Sequence, residues 1–223
     1  MARLSVQEAV PSPGDSADRH RRVSSAIRRA QILGVARKVF AASGFRGTTT
    51  KQIAVAAGVT EALLFQHFAT KQDLYNSILE AKAGENPIEP VLAALRSHAE
   101  RRDDRAFLEE YARCSLARYR TDSEFLRLML YSALEGHELA LAFRRDQVKP
   151  IQTELRRYIA ARQREGAFRK LRVTAAVRAF AGAIGNYALV KGIFGPAEAG
   201  LSEKQAIREF TDLFLHGVNG NGA

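Results

Sequence analysis

Residues 48–74, TTTKQIAVAAGVTEALLFQHFATKQDL, decide the fold because they contain two short helical segments separated by a tight turn. Thr49 and Gln52 have the spacing of a capping box, which predicts the start of the first helix. Gly58 ends this helix and permits a sharp reversal, and Thr60 begins the second helix almost at once. Two short helices at this spacing are typical of a helix-turn-helix, whose second helix enters the major groove of duplex DNA.

Apolar residues recur at helical spacing along the rest of the chain as well, and no convincing period-two alternation is present. Residues 32–43 give one apolar face and one basic face, and Gly44 ends that helix. Thr70 and Asp73 repeat the capping pattern before a helix that runs towards Gly84. The chain is therefore predicted to be all-α.

Residues 85–87, Glu-Asn-Pro, interrupt the helical pattern and mark the predicted domain boundary. We predict a disordered tail over residues 1–24, a helix-turn-helix DNA-binding domain over 25–84 and a second domain over 85–223. Glycine and proline stops place the later helices near 88–101, 104–120, 123–147, 150–165, 173–194 and 202–217. The sequence leaves open whether Gly136-His137 kinks the third of these helices.

Charge distinguishes the N-terminal part of the chain from the rest. The formal net charge is +10, from 34 Lys and Arg against 24 Asp and Glu. The residues up to Gly84 contain 12 of the basic residues and 6 of the acidic ones. No acidic residue lies between Asp18 and Glu61, although nine basic residues do. A positive stretch beside a helix-turn-helix favours contact with the phosphates of duplex DNA.

Other classes of function lack their sequence signatures. There is no Walker loop, nucleophile elbow, HExxH motif or Glu-x-x-His pair, so we expect no enzyme activity, catalytic residue, metal or cofactor. The single cysteine, Cys114, cannot form an internal disulfide and fits a small buried residue. Two alternatives stay open: a helical-bundle enzyme or small-molecule carrier with an incidental basic surface, and a protein that lies on a membrane surface.

The location of the protein is predicted from two missing patterns. No run approaches the ~18 uninterrupted apolar residues that would span a bilayer. The N-terminal stretch also lacks the apolar segment of a secretory signal. We therefore expect a cytoplasmic protein with no membrane partner.

Residues 32–79, ILGVARKVFAASGFRGTTTKQIAVAAGVTEALLFQHFATKQDLYNSIL, resemble the N-terminal domain of TetR/AcrR-type repressors. The residues that carry the resemblance fall in the family's order: Phe40, Gly44, Phe45, Thr48, Thr49, Ile53, Ala54, Gly58, Val59, His67, Phe68, Lys71 and Leu74. The resemblance implies a three-helix DNA-binding head followed by a helical-bundle domain for ligand binding and dimerisation. It also implies a homodimer that binds a pseudo-palindromic operator and is released by a small and largely apolar effector. We predict a repressor, and the sequence leaves an activator open as the alternative.

The resemblance also implies which residues meet DNA. Hydroxyl and backbone N–H groups at the starts of the two short helices would bind phosphates, as would one side chain at the end of the second helix and one at the start of the next. These residues are Thr49, Thr50, Thr60, His67 and Lys71. By charge and position, Lys51 joins them as a phosphate contact.

The second helix departs from the family pattern at two positions. Phe65 stands where the family often has tyrosine, so a tyrosine–phosphate hydrogen bond is absent. Glu61 stands where the family often has Lys or Arg, and it either accepts from a cytosine amine or only favours the positive end of its helix. Gln66 lies on the same helix, where its amide can pair with adenine.

Aromatic and sulfur-containing side chains in the second domain supply candidate walls for an effector cavity. We predict that a small apolar ligand binds among Phe107, Tyr111, Met129, Phe143, Phe180 and Tyr187.

Small residues concentrate in the segment 173–194, where each glycine costs ~1 kcal/mol relative to alanine in a helix. Small residues let two helix backbones approach closely, which predicts a dimer interface with the segment 202–217. The predicted interface residues are Ala179, Gly182, Ala183, Gly185, Leu189, Phe210 and Phe214.

Overall fold

The computed structural model describes residues 13–85, 87–118 and 123–218, and the regular elements of these residues are all helical. The prediction of an all-α chain is therefore confirmed. In chain order the helices are α1 (Pro13–Ser43), α2 (Thr50–Ala56), α3 (Glu61–His67), α4 (Lys71–Glu85), α5 (Ile88–Glu100), α6 (Asp104–Ala117), α7 (Ser123–Leu134), α8 (Glu138–Phe143), α9 (Lys149–Arg164), α10 (Val173–Phe194) and α11 (Glu203–Val218), with a π-helical turn over Arg144–Val148.

The first helix begins much earlier than the sequence indicated. Residues 13–24, predicted as disordered tail, form the first turns of α1, whereas residues 1–12 lie outside the described residues. The prediction of disorder is therefore wrong for residues 13–24.

Side-chain caps begin the three helices after α1 as predicted. The Thr49 side chain accepts from the Gln52 N–H while the Gln52 side chain accepts from the Thr49 N–H, which completes the capping box of α2. Thr60 accepts from the Leu63 N–H at α3, and at α4 Thr70 accepts from the N–H of Asp73. These bonds satisfy backbone donors that have no partner within a helix.

The helix predicted over 123–147 is wrong because α7 ends at Leu134. Gly136 follows with φ of +68°, a left-handed conformation that glycine adopts without strain. The His137 side chain then accepts from the Leu139 N–H and begins α8. Pro150 does not end a helix. It lies in the first turn of α9, which continues from the π-helical turn.

Two hydrophobic cores hold the helices together, and their membership does not follow the domain boundary predicted after residue 84. The head core contains Ile32, Phe40, Leu64 and Tyr75 from α1, α3 and α4, yet it also contains Phe125, Leu128, Met129, Leu139 and Phe143 from α7 and α8. The body core is built from α5, α6, α9, α10 and α11. The helix pair α7–α8 therefore belongs to the head core, although it follows the predicted boundary in sequence.

One described helix, α10, is long and apolar enough to cross a membrane by length and composition. This differs from the expectation, which counted only uninterrupted apolar runs. Arg178 and Lys191 interrupt the run of uncharged residues in this helix, and the helix packs against α6, α7, α9 and α11. Only 33% of its most apolar window is buried inside one chain, so an apolar face is left at the surface.

Candidate nucleic-acid interface

The helices α2 and α3 cross closely because small and apolar residues lie between them. Ile53, Ala54 and Leu64 are buried in the head core. Gly58 takes a φ of +65°, and the N–H of Val59 donates to the Ala54 carbonyl at 3.0 Å, which closes the turn. The inner side of α3 is therefore fixed against the head, and its other side is open to solvent.

The open side of α3 presents an acid, an aromatic ring and an amide. Glu61 and Gln66 are exposed, and the Phe65 side chain is 44% exposed although it is a large apolar group. Lys51 on α2 is exposed as well, and His67 in the last turn of α3 is partly buried. A short helix with an uncovered outer face, preceded by a helix with an exposed lysine, has the form required to enter a DNA groove.

Glu61 is joined to α2 by its carboxylate. The Thr50 hydroxyl donates to Glu61 Oε1 at 2.7 Å, a contact between residues eleven positions apart. This contact adds a third role to the two that the sequence left open, because Glu61 fixes α3 against the start of α2. The hydroxyl of Thr60 accepts from the Leu63 N–H.

Lys71 has a structural environment that the sequence did not indicate. Its ammonium donates to the carbonyls of Phe45 and Thr48, both at 2.9 Å, and lies 4.2 Å from the centre of the Phe45 ring. Its donors are therefore directed at the loop between α1 and α2. A phosphate contact by Lys71 would have to compete with these bonds.

Arg29 also contacts the head, although sequence reasoning gave it no individual role. Its guanidinium lies 4.5 Å from the centre of the Phe68 ring, directly after α3, and donates to the Ser77 hydroxyl at 2.9 Å. Helix α1 is thus tied to the end of α3 and to α4. Spacing could not have indicated the Ser77 bond, since the two residues are 48 positions apart.

The six predicted effector residues are all buried, but they lie in two different cores. Phe107, Tyr111, Phe180 and Tyr187 belong to the body core. Met129 and Phe143 belong to the head core, so the structure does not bring the six around one cavity. The two residues lie apart from the other four because α7, which carries Met129, packs against α1, and α8, which carries Phe143, packs against α7 and α4.

Four of the seven predicted dimer residues border an open groove between α10 and α11, whereas Gly182, Gly185 and Leu189 lie outside its lining. Ala179, Gly182 and Gly185 are exposed, and an added Cβ at either glycine meets no atom within 4 Å. The groove has a volume of about 540 Å³, and its walls include Ala175, Ala179, Ala183, Phe210, Leu213, Phe214 and Gly217. Leu213 is 71% exposed at its edge, although a leucine gains by burial.

The cysteine and the possible metal ligands give no sign of a second reactive site in the described residues. Burial raises the pKa of the Cys114 thiol to about 12, and the thiol donates to the Tyr111 carbonyl. No group of three or more His, Cys, Asp or Glu among the described residues could hold a metal ion.

Comparison with known proteins finds bacterial transcription regulators that are similar to this chain. Residues 32–78 match the tetR family of bacterial regulatory proteins. The transcriptional activator FasR of Mycolicibacterium smegmatis is 30% identical over 102 residues, which cover 46% of each chain. The transcriptional regulator RutR of Escherichia coli is 32% identical over 136 residues, or 61% of this chain and 59% of RutR. The matches thus span about half the length of these relatives, which are transcription regulators and not enzymes.

The fold extends beyond the matched segment. The structure of AibR in complex with isovaleryl coenzyme A and operator DNA superposes with a TM-score of 0.61 at 23% identity. The superposition covers 83% of this chain and 97% of AibR. At this identity the similarity shows the fold of the part of the chain that it covers.

Proposed function

Because the chain carries a TetR-family DNA-binding segment over residues 32–78, we propose that it is a ligand-responsive transcriptional repressor that binds a pseudo-palindromic operator as a dimer. The observation that carries this proposal is the outer face of α3, which is uncovered and fixed in direction by α2 and the head core. Such a face can present side chains to base edges, while the basic surface around it binds phosphates.

Within this function, the exposed residues divide into two roles. Lys51 and Thr60 lie at the starts of their helices and contact phosphates, with His67, Thr49 and the backbone at the start of α2 as supporting contacts. Gln66 reads a base, because an amide can form two hydrogen bonds with adenine in the major groove. Thr50 and Glu61 contribute by holding α2 and α3 together.

The dimer forms through the open face of α10 and α11. Exposed small residues on α10 let the partner helices approach closely, and Leu213 and Phe210 on α11 pack at the edges of the interface. Because two copies would bury an apolar face that one chain leaves in water, association is favoured. A two-fold dimer presents two copies of α3 to two half-sites, which explains the expected pseudo-palindrome.

The effector binds in the body core, among Phe107, Tyr111, Phe180 and Tyr187. Met129 and Phe143 are left out of this proposal because they pack against the head. These four residues are aromatic, so a small and largely apolar group is the expected ligand. The AibR complex contains isovaleryl coenzyme A, whose short apolar acyl group makes it a suitable first probe.

Repression is the proposed direction because operator occupancy alone is sufficient for it. Activation would need a further contact with the transcription machinery, as in a protein such as the activator FasR. A cytoplasmic location follows from the same function, since the operator is there.

A binding assay with the full chain tests the proposal. Duplexes are selected from a random library, and affinity is compared between a selected duplex and a shuffled duplex of equal length and composition. We expect at least a thousandfold preference for the selected duplex, as is usual for specific DNA binding, and loss of affinity as salt rises. Equal affinity for both duplexes would contradict the proposal, and a promoter–reporter assay then tests repression.

A further inference from the structure

The loop between α1 and α2, residues 44–49, is held from two opposite sides. On its N–H side, the Glu135 carboxylate accepts from the Phe45 N–H through Oε2 at 3.1 Å and from the Arg46 N–H through Oε1 at 3.4 Å. On its carbonyl side, Lys71 donates to Phe45 and Thr48. We call Lys71, Glu135 and His137 the loop clamp.

Glycine at position 44 suits both the backbone conformation of the loop and the close approach of Glu135. Gly44 has a φ of +70°, and an added Cβ would lie 2.5 Å from Glu135 Oε1 and 3.0 Å from Tyr131 Cδ1. Any larger residue at position 44 would therefore displace the carboxylate. The contact is also reinforced from the other direction, because the Arg46 guanidinium donates to the Glu135 carbonyl at 3.4 Å.

The aromatic side of the clamp is His137. Its ring centre lies 4.6 Å from the Phe45 ring and 4.6 Å from the Tyr75 ring. Nδ1 accepts from the Leu139 N–H, so Nε2 carries the proton and donates to Gln72 Oε1 at 2.8 Å. His137 is therefore neutral in this arrangement, and it connects the start of α8 to the start of α4.

We propose that Glu135 is a positioning residue for DNA binding: it fixes the start of α2, and thus the direction of α3, relative to the α7–α8 corner. The loop leads directly into Thr49, the cap of α2. A displacement of the corner would act on the helix-turn-helix through the two Glu135 bonds, separately from any movement of α4. This inference rests on the proposed DNA-binding function.

The chemistry of the clamp explains why a carboxylate is needed. Each of the two oxygens of Glu135 accepts from a different backbone N–H, and an ionised acceptor strengthens both bonds. Glutamine has one acceptor oxygen, so it can keep one of the two bonds. Alanine keeps neither. Glu138, which is exposed at the start of α8, offers a matched control three residues away.

Amide hydrogen exchange tests the clamp itself. In Glu135→Ala we expect the Phe45 and Arg46 amides to exchange about tenfold faster, as loss of a net hydrogen bond of ordinary strength implies. In Glu135→Gln only one of them should accelerate, and in Glu138→Ala neither. Unchanged α10 amides show that the variants remain folded. Unchanged exchange of the Phe45 and Arg46 amides in Glu135→Ala would overturn the assignment.

DNA affinity tests the positioning role. On a duplex selected by the unmodified protein, Glu135→Ala should bind about tenfold more weakly than the unmodified protein. The affinity of Glu135→Gln should lie between those of the unmodified protein and Glu135→Ala. On a shuffled duplex the affinity should stay within about twofold, because charge contacts do not depend on the direction of α3. Equal weakening on both duplexes, or none on either, would overturn the proposal. If the unmodified protein selects no sequence, the proposed function fails, and amide exchange still decides whether the clamp exists.

Discussion

The hydroxyl of Thr50 donates to the carboxylate of Glu61 at 2.7 Å, and this bond joins the first residues of α2 and α3. Glu61 stands where phosphate would repel it, yet here its charge is engaged with a neighbouring helix. The acidic residue therefore stabilises the helix-turn-helix. It also leaves Lys51 and Gln66 as the exposed polar side chains of α2 and α3 best placed to meet DNA.

A double-mutant cycle tests the Thr50–Glu61 bond. Because both single changes, Thr50→Val and Glu61→Gln, weaken the same bond, their effects on affinity for a selected duplex should not add. We expect a coupling free energy of about 0.5–1 kcal/mol, since the pair is exposed to solvent. Affinity is measured by fluorescence anisotropy, and strictly additive effects would show that the bond plays no part in DNA binding.

Lys71 and Lys51 should respond differently to alanine. Lys71→Ala removes two hydrogen bonds to loop carbonyls, so it should lower the free energy of unfolding by about 1–2 kcal/mol without DNA. Lys51 is exposed, so Lys51→Ala should leave stability unchanged and reduce the salt slope of DNA binding by roughly 0.9 per lost contact. Urea denaturation and salt titration separate the two. A stability loss in Lys51→Ala alone would reverse the assignment.

The proposed dimer is tested at Gly182. Leucine there has open space within one chain, so the fold should be kept while the approach of a partner helix is blocked. We expect Gly182→Leu to sediment as a monomer at a micromolar concentration where the unmodified protein is a dimer. Gly34→Leu is the control, because Gly34 also lies in a helix with open space around it. A dimer unaffected by Gly182→Leu would place the interface elsewhere.

The clamp histidine predicts a pH dependence of stability. Burial lowers the pKa of His137 below its ordinary value, with Glu135 and Glu138 raising it and Lys71 lowering it. The unfolded chain therefore binds more protons than the folded chain below pH ~6.5, so stability falls as the pH falls. His137→Asn keeps a cap for α8 but cannot titrate.

The experiment compares urea denaturation of the parent and His137→Asn at pH 7.5 and at pH 5.5. The parent should lose more of its free energy of unfolding between these pH values than the variant does. Equal losses would mean that His137 is protonated in the folded protein as readily as in the unfolded chain.

The helix-turn-helix could be predicted from sequence because local rules determine it. The capping box at Thr49, the cap at Thr60 and the turn at Gly58 depend on residues within four positions of each other. The same rules located α10 correctly at residues 173–194. Roles of Thr49, Thr60, Lys51 and Gln66 in DNA binding stay predictions.

The contacts between distant segments could not be predicted. Glu135 reaches Phe45 across 90 positions, and Lys71 reaches the same loop across 26. No spacing rule connects residues so far apart, so Lys71 was interpreted as a phosphate contact and Glu135 was given no role. The division of the six effector residues between two cores has the same cause, because it depends on the packing of α7 against α1 and of α8 against α7 and α4.

Sequence selection with two variants tests most directly whether α3 reads DNA. Random duplexes are selected with the unmodified protein, Lys51→Ala and Gln66→Ala, and the enriched sequences are compared. We predict two related half-sites for the unmodified protein and the same sequence for Lys51→Ala. With Gln66→Ala, preference should relax at one base pair in each half-site, by about 1–3 kcal/mol. An unchanged sequence for Gln66→Ala, or no enriched sequence for the unmodified protein, would contradict the account.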